Sequence, residues 1–234
     1  MPWNDGHIMI SDFLTPLQHA FLQRFFNLDL GQRFFLTGGT ALAAFHLHHR
    51  ISDHLDLFTL DVEALADVDR EIESLAAELN CTIGRARRAE HFRQFLLLPQ
   101  AGQTGPPLQV DLVHDVGPQY GERRAVEGII VDAIENMGAN KITAILGRME
   151  SKDFVDLYFI LQAGYNFGEL FKMAQQKDLG LIEFYFVYAL LQVNKLTRLP
   201  EMKKPIDLPT LQAFFTALAN EMLDRLNPEE VQKP

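Results

Sequence analysis

Leu36-Thr37-Gly38-Gly39-Thr40-Ala41-Leu42, followed by His49-Arg50-Ile51-Ser52-Asp53-His54-Leu55-Asp56-Leu57-Phe58-Thr59, decides the reading of this chain. The first run is a short strand, residues 33–37, ending in paired glycines before an Ala- and Leu-rich helix over 40–48. Glycines at such a junction let backbone amides approach a ligand closely, and the helix start adds positive partial charge. That is a phosphate cradle on physical grounds, although Gly-Gly before a helix also makes an ordinary tight turn. The second run holds a strand over 55–60. Alternation in Asp53-His54-Leu55-Asp56 places His54 and Asp56 on one face and Leu55 on the other.

Working outward, Gln109-Val110-Asp111-Leu112-Val113 alternates in the same way, so Gln109, Asp111 and Val113 share a face. If the Asp56 and Asp111 strands are neighbours, His54, Asp56 and Asp111 meet beside the glycine turn. Carboxylates so placed are suited to holding Mg²⁺ against a nucleoside triphosphate. The alternative is equally open: Asp56 caps a strand end and Asp111 bonds to backbone. Around this centre, helices are expected over 10–26 and 62–79, and strands over 82–88, 92–98, 108–114 and 129–131. From Met137 onward strand signals stop. Helices are expected over 141–148, 152–162, 168–177, 181–196 and 208–226, with Pro200, Pro205 and Pro209 punctuating the last linker. The expectation is an α+β fold: a mixed sheet with flanking helices over 1–136, then a helical domain over 137–234.

The 234 residues carry a formal charge of −10, which excludes coating nucleic acid by bulk electrostatics. Any nucleotide or RNA has to meet a local basic patch, with Arg85-Ala86-Arg87-Arg88, Arg123-Arg124 and Lys203-Lys204 as candidates. Cys81 is the single cysteine, so no internal disulfide forms, and a small buried hydrophobe is expected there. The start, Met1-Pro2-Trp3-Asn4-Asp5-Gly6, has neither the basic nor the apolar part of a secretion signal. The longest apolar stretches, 154–161 and 181–193, contain Asp156 and Glu183 and are too short to span a bilayer. A cytoplasmic protein with no membrane segment is expected. His46 and His49, at i and i+3, have zinc spacing without further ligands to close the site. His114-Asp115 reads as a turn, and Phe184-Tyr185-Phe186-Val187-Tyr188 as core.

The glycine turn and the Ser52–Asp56 strand resemble the nucleotidyltransferase signature of the DNA polymerase beta superfamily. More closely, residues 36–59 are similar to the AbiEii/AbiGii toxin family, the toxin halves of bacterial abortive-infection and toxin–antitoxin pairs. Lys141-Ile142-Thr143-Ala144-Ile145-Leu146-Gly147-Arg148 and Ser151-Lys152-Asp153-Phe154-Val155-Asp156-Leu157-Tyr158 resemble that family's later helical motif. The resemblance implies Mg²⁺-dependent (or Mn²⁺-dependent) transfer of a nucleotide from a triphosphate to an RNA or protein acceptor, and a cognate antitoxin as partner. Gly38, Gly39 and Thr40 then match the phosphate-binding turn, with Arg50 and Ser52 as helpers. Asp56 matches the second carboxylate of a paired-aspartate motif and Asp111 the third. Lys141 matches a lysine reaching the triphosphate, and Asp153 and Asp156 the acidic pair of the last motif. Where the family pattern expects another aspartate this chain has His54, and Asp53 occupies the preceding place. Imidazole is a poor Mg²⁺ ligand, and Asp53 compensates only if the strand is bulged. Two readings follow: a metal-dependent transferase, or a catalytically degenerate fold that binds nucleotide or protein.

Overall fold

The computed structural model describes residues 9–102 and 104–226. They form two compact units, one of residues 9–116 with 122–133, the other of residues 117–121 with 134–226.

The first unit starts with a single 3-10 turn, Ile10–Asp12, and then α1 (Pro16–Phe26). The continuous helix expected over 10–26 is therefore broken, and the reason is local. Thr15 Oγ1 accepts from the Gln18 amide at 3.2 Å, and Gln18 Oε1 accepts from the Thr15 amide at 2.8 Å. This reciprocal cap, with Pro16 at the first helical position, makes a helix start there, since proline cannot sit inside the preceding turn. Phe21, Leu22, Phe25 and Phe26 form the buried stripe of α1.

Next come β1 (Phe35–Thr37) and α2 (Gly38–Ala41), which runs on as a π-helical turn, Leu42–Leu47, stopped by His48 in the left-handed region at φ 53°. Strand β2 (His54–Thr59) leads to α3 (Val62–Glu78), capped by Asp61. Then β3 (Cys81–Ala89), β4 (Phe92–Pro99), β5 (Leu108–His114), β6 (Arg124–Val126) and β7 (Ile129–Val131) complete the unit. Cys81 is buried. His114 closes β5 rather than forming a turn, and its Nδ1 lies 3.1 Å from His91 Nδ1. Strand β6 escaped the sequence reading because three partly polar residues show no periodicity. Its hairpin with β7 turns on Glu127-Gly128, both at positive φ (51° and 82°).

The sheet has seven strands in the order β3-β4-β5-β2-β1-β7-β6. The β2–β5 and β1–β7 pairs are parallel and the others antiparallel. A parallel β2–β5 pair needs a long crossover, and α3 with the β3–β4 hairpin supplies it. Leu55, Leu57, Val110 and Leu112 are fully buried, whereas His54, Asp56, Gln109 and Asp111 on the alternate positions are partly exposed.

The second unit holds α4 (Ile134–Arg148), α5 (Ser151–Gln162), α6 (Phe167–Lys177), α7 (Glu183–Leu191) and α8 (Leu208–Leu226), together with Gly117–Gly121. Ile142, Ile145, Phe154, Phe186, Leu190 and Phe215 are fully buried in it. One expectation is corrected here. Phe186 and Val187 are core, but Phe184, Tyr185 and Tyr188 are 65%, 59% and 65% exposed. Successive helical residues turn by about 100°, so five in a row cannot share one buried face. Among the described residues no helix is long and apolar enough to cross a membrane.

Candidate active site

Gly38 opens the site at φ +68°. A Cβ there would lie 2.2 Å from Asp56 Oδ2, and one at Gly39 would lie 2.3 Å from Arg50 Nη2 and 3.1 Å from Ser52 Oγ. A carboxylate thus presses on the first glycine, which is also at positive φ, and the far end of a guanidinium on the second. Thr40 Oγ1 donates to the His54 carbonyl, which ties the start of α2 to the start of β2. Arg50 and Ser52 are both 3% exposed. Arg50 donates through Nη1 to the Ile51 carbonyl at 2.8 Å, and Gln18 of α1 donates to the Ser52 carbonyl at 2.8 Å. Ser52 Oγ is buried with no hydrogen-bond partner among the described residues. A buried hydroxyl left unsatisfied costs on the order of 1–3 kcal/mol, and a ligand beside the turn would relieve that cost.

Register does the rest. Thr37 pairs with Asp56, and Asp56 pairs with Asp111 on the neighbouring parallel strand. The structure therefore brings together Gly38, Gly39, Thr40, Arg50, Ser52, His54, Asp56 and Asp111. His54 Nε2 lies 3.3 Å from Asp56 Oδ2. The bulge that would turn Asp53 towards Asp56 is absent: β2 begins at His54 in regular register with β5, and Asp53 lies before it, exposed.

Two residues that the sequence reading left without a role support Asp111. Gln94 Nε2 of β4 donates to its Oδ1 at 2.9 Å, and Gln109 Nε2 donates to Oδ1 and Oδ2 at 3.2 and 3.0 Å. Their signal was alternation itself, since each stands on the polar side of an apolar strand. Burial pushes the Asp111 carboxyl above its usual range, the Asp56 charge adds to this, and the glutamine hydrogen bonds and His54 only partly oppose it. Because the folded chain holds this proton more tightly than the unfolded chain, the contribution to stability is present in acid and lost as pH rises through the folded pKa. Asp111→Asn is therefore expected to raise the melting temperature at neutral pH, with the gain shrinking in acid. Thermal melts of both proteins across pH check this, and a gain independent of pH would contradict it.

A buried carboxylate that sequence reading missed, Asp132, accepts from Thr37 Oγ1 at 2.7 Å and from the Ala133 amide at 2.9 Å. It anchors the strand end that presents Gly38. His46, one half of the possible zinc pair, has its Nε2 2.9 Å from the Asp132 carbonyl oxygen. Burial, aided by the nearby Arg124 charge, lowers its pKa to about 4, so it is neutral at physiological pH. No three His, Cys, Asp or Glu side chains among the described residues make a metal cage. An ion at Asp56 and Asp111 would complete its shell with water and substrate oxygens, as Mg²⁺ commonly does with one or two carboxylates.

The second unit has its own buried cluster. Lys141 Nζ sits 2.8 Å from Asp153 Oδ1 and 2.7 Å from Asp156 Oδ2, both carboxylates being fully buried. Arg148 closes a fork on Asp153, with Nε to Oδ2 at 2.7 Å and Nη2 to Oδ1 at 2.9 Å. Burial alone would raise the Asp153 pKa, but the Arg148 and Lys141 hydrogen bonds and charges outweigh it and hold the carboxyl below its usual range. Lys141, Asp153 and Asp156 thus join α4 to α5.

Residues 20–232 match the family model described as nucleotidyl transferase AbiEii toxin, type IV toxin–antitoxin system. The chain belongs to the AbiEii family. An uncharacterised protein of Aquifex aeolicus is 26% identical over 178 residues, covering 73% of this chain and 81% of its own. The crystal structure of JHP933 from Helicobacter pylori is similar with a TM-score of 0.56 at 18% identity, over 94% of both chains. MenT4, a nucleotidyltransferase toxin of Mycobacterium tuberculosis, is similar with a TM-score of 0.53 at 11% identity, over 92% of this chain and 88% of its own. At these identities the two structures bear on the fold alone.

Proposed function

We propose that this chain transfers a nucleotide from a nucleoside triphosphate to an RNA or protein acceptor in the cytoplasm, as the toxin of a toxin–antitoxin or abortive-infection pair. The observation that carries the reading is the closure of the Gly38 turn onto Asp56, the register partner of Asp111. Backbone amides of Gly38, Gly39 and Thr40 receive the phosphates, with Arg50 and Ser52 behind them. Asp56 and Asp111 fit a divalent ion, Mg²⁺ or Mn²⁺, with His54 beside them. When bound, the ion offsets triphosphate charge and polarises the α-phosphorus. Asp111, held by two amides in a partly desolvated site, orients the acceptor hydroxyl or takes its proton as the hydroxyl oxygen bonds to the α-phosphorus and pyrophosphate leaves. The family resemblance gives Lys141 the role of reaching the triphosphate, and Asp153 and Asp156 that of the last motif's acidic pair.

His54 in the place of an aspartate favours a second reading, a nucleotide- or protein-binding module without turnover. One experiment separates the two: α-labelled nucleotides with total RNA and protein, in Mg²⁺ and in Mn²⁺, comparing wild type, Asp56→Ala and His54→Asp. Incorporation by wild type that Asp56→Ala lowers by two orders of magnitude or more is the expected result (about 3 kcal/mol of transition-state stabilisation or more). Activity confined to His54→Asp identifies a decayed transferase, and nucleotide binding without product in all three identifies the module. Co-expression with a neighbouring antitoxin-like protein tests the pairing, since a toxin's growth arrest is relieved only by its partner.

A further inference from the structure

The row of paired residues that contains Asp56 and Asp111 does not stop at them. Asp111 pairs with Gln94 on β4, and Gln94 with Arg87 on the edge strand β3, so Thr37, Asp56, Asp111, Gln94 and Arg87 form one line across five strands. Two residues along, His54, Gln109, Leu96 and Arg85 form a parallel line. Paired residues project to the same side of a sheet. Arg85 and Arg87 therefore stand on the carboxylate face.

A bulge causes this. Ile83 pairs with Leu97 but Arg85 pairs with Leu96, so Gly84 is an extra residue in β3. A Cβ at Gly84 would lie 2.4 Å from Leu98 Cδ1, which accounts for glycine there. Without the extra residue, alternation from Ile83 would send Arg85 and Arg87 to the opposite face, towards α3. With it, Arg88 takes that direction and donates to Asp69 of α3 at 2.6 Å, where Arg93 joins it at 3.2 Å. Arg85 and Arg87 are exposed, and neither has a hydrogen bond or ion pair among the described residues. Two uncompensated guanidiniums on the site face stand out in a chain of net charge −10.

We infer that Arg85 and Arg87 are the dock for the acceptor, and that the acceptor is RNA held by its phosphates. This rests on the transferase reading of the Asp56 site. The glycine cradle lies on the β1 side of the carboxylates and the arginines lie on the β3 side. Arg87, three strands from Asp56, is about 14 Å away, too far to share a triphosphate seated at Gly38. Placed i and i+2 on a strand, the two guanidiniums are about 7 Å apart at their Cα atoms, which suits successive phosphates of an extended strand. The face between them and Asp56 carries Gln94 and Gln109, whose Nε2 groups hold Asp111 and whose Oε1 atoms can accept from base or sugar groups.

The test is fluorescence anisotropy of a labelled uridine-rich oligoribonucleotide, with no nucleotide or metal added, from about 50 to 200 mM salt. Wild type, Arg85→Glu/Arg87→Glu and Arg70→Glu are compared, Arg70 being an exposed arginine on α3. The double variant is expected to bind at least 10-fold more weakly than wild type. Its plot of log affinity against log salt is expected to flatten by about 1.4, two single-strand phosphate contacts. Arg70→Glu is expected to bind as wild type does. Wild-type protein that does not bind RNA, a double variant that binds equally well, or an equal loss in Arg70→Glu each overturns the proposal, the first in favour of a protein acceptor. The wild-type transfer assay separates the two readings: RNA binding that needs the arginines, with no transfer by wild type, leaves an RNA dock standing and removes the transferase.

Discussion

Lys141→Met is expected to lower the stability of the second unit by about 3–5 kcal/mol, since it strands buried negative charge. Lys141 Nζ is within 2.8 Å of Asp153 and 2.7 Å of Asp156, and neither carboxylate is exposed to solvent. Arg148 continues to bind Asp153, so most of the loss falls on Asp156. Over a unit of this size such a loss corresponds to a fall of about 12 °C or more in melting temperature. Lys141→Met/Asp156→Asn is expected to recover part of it, because the second change removes the stranded charge. The pH dependence has a definite sign. The Asp153 carboxyl is held below its usual range, so its contribution is present above the unfolded pKa and is lost as pH falls through the folded one. The gap between wild type and Lys141→Met therefore narrows in acid. Melts of the three proteins at neutral and acid pH check this, and a variant as stable as wild type would show the ion pairs to be dispensable.

Gly38→Ala is expected to reduce nucleotide transfer by about 10²-fold, the effect of shifting a catalytic group by roughly 1 Å. The new methyl carbon would sit 2.2 Å from Asp56 Oδ2, and the backbone there is at φ +68°, where an alanine is strained. The carboxylate has to move or the turn has to open, and either displaces Asp56 relative to Asp111. Stability falls as well, by about 1–3 kcal/mol. Measuring transfer below the variant's melting point separates the two effects. A Gly38→Ala protein that folds and transfers at the wild-type rate would mean that the turn and Asp56 are not one site. Gly39→Ala is a weaker probe, because the group it meets is the far end of Arg50 and side chains of that length can shift.

Much of this was legible in the sequence where a single segment decided the matter. Strict alternation gave β2 and β5 to within a residue, and with them the face shared by His54 and Asp56. The glycine pair announced a close approach, although not that Asp56 and Arg50 were the groups approaching. What stayed hidden depends on pairing between distant segments. The Asp56–Asp111 register, the Gln94 and Gln109 bonds and the Thr37–Asp132 bond have no local signal. Gly84 lay inside a strand pattern, and nothing local says whether such a glycine is a bulge or only a small residue. Lys141 illustrates the same limit. Its motif suggested a triphosphate ligand, and the neighbours that occupy its ammonium stand twelve and fifteen residues on, across a helix turn.

The chain does not finish one unit before starting the next. It gives Gly117–Gly121 to the second, then returns to add β6 and β7 to the first. During synthesis β1 therefore lacks its parallel partner until Val131 has emerged, and Thr37 lacks the Asp132 carboxylate that anchors the glycine turn. A nascent or prematurely terminated chain ending before these residues carries Gly38, Asp56 and Asp111 without the edge that steadies them. That order of assembly ties a steadied glycine turn to translation past the middle of the 234-residue chain. Neither unit, by the same logic, can be excised as an unbroken fragment.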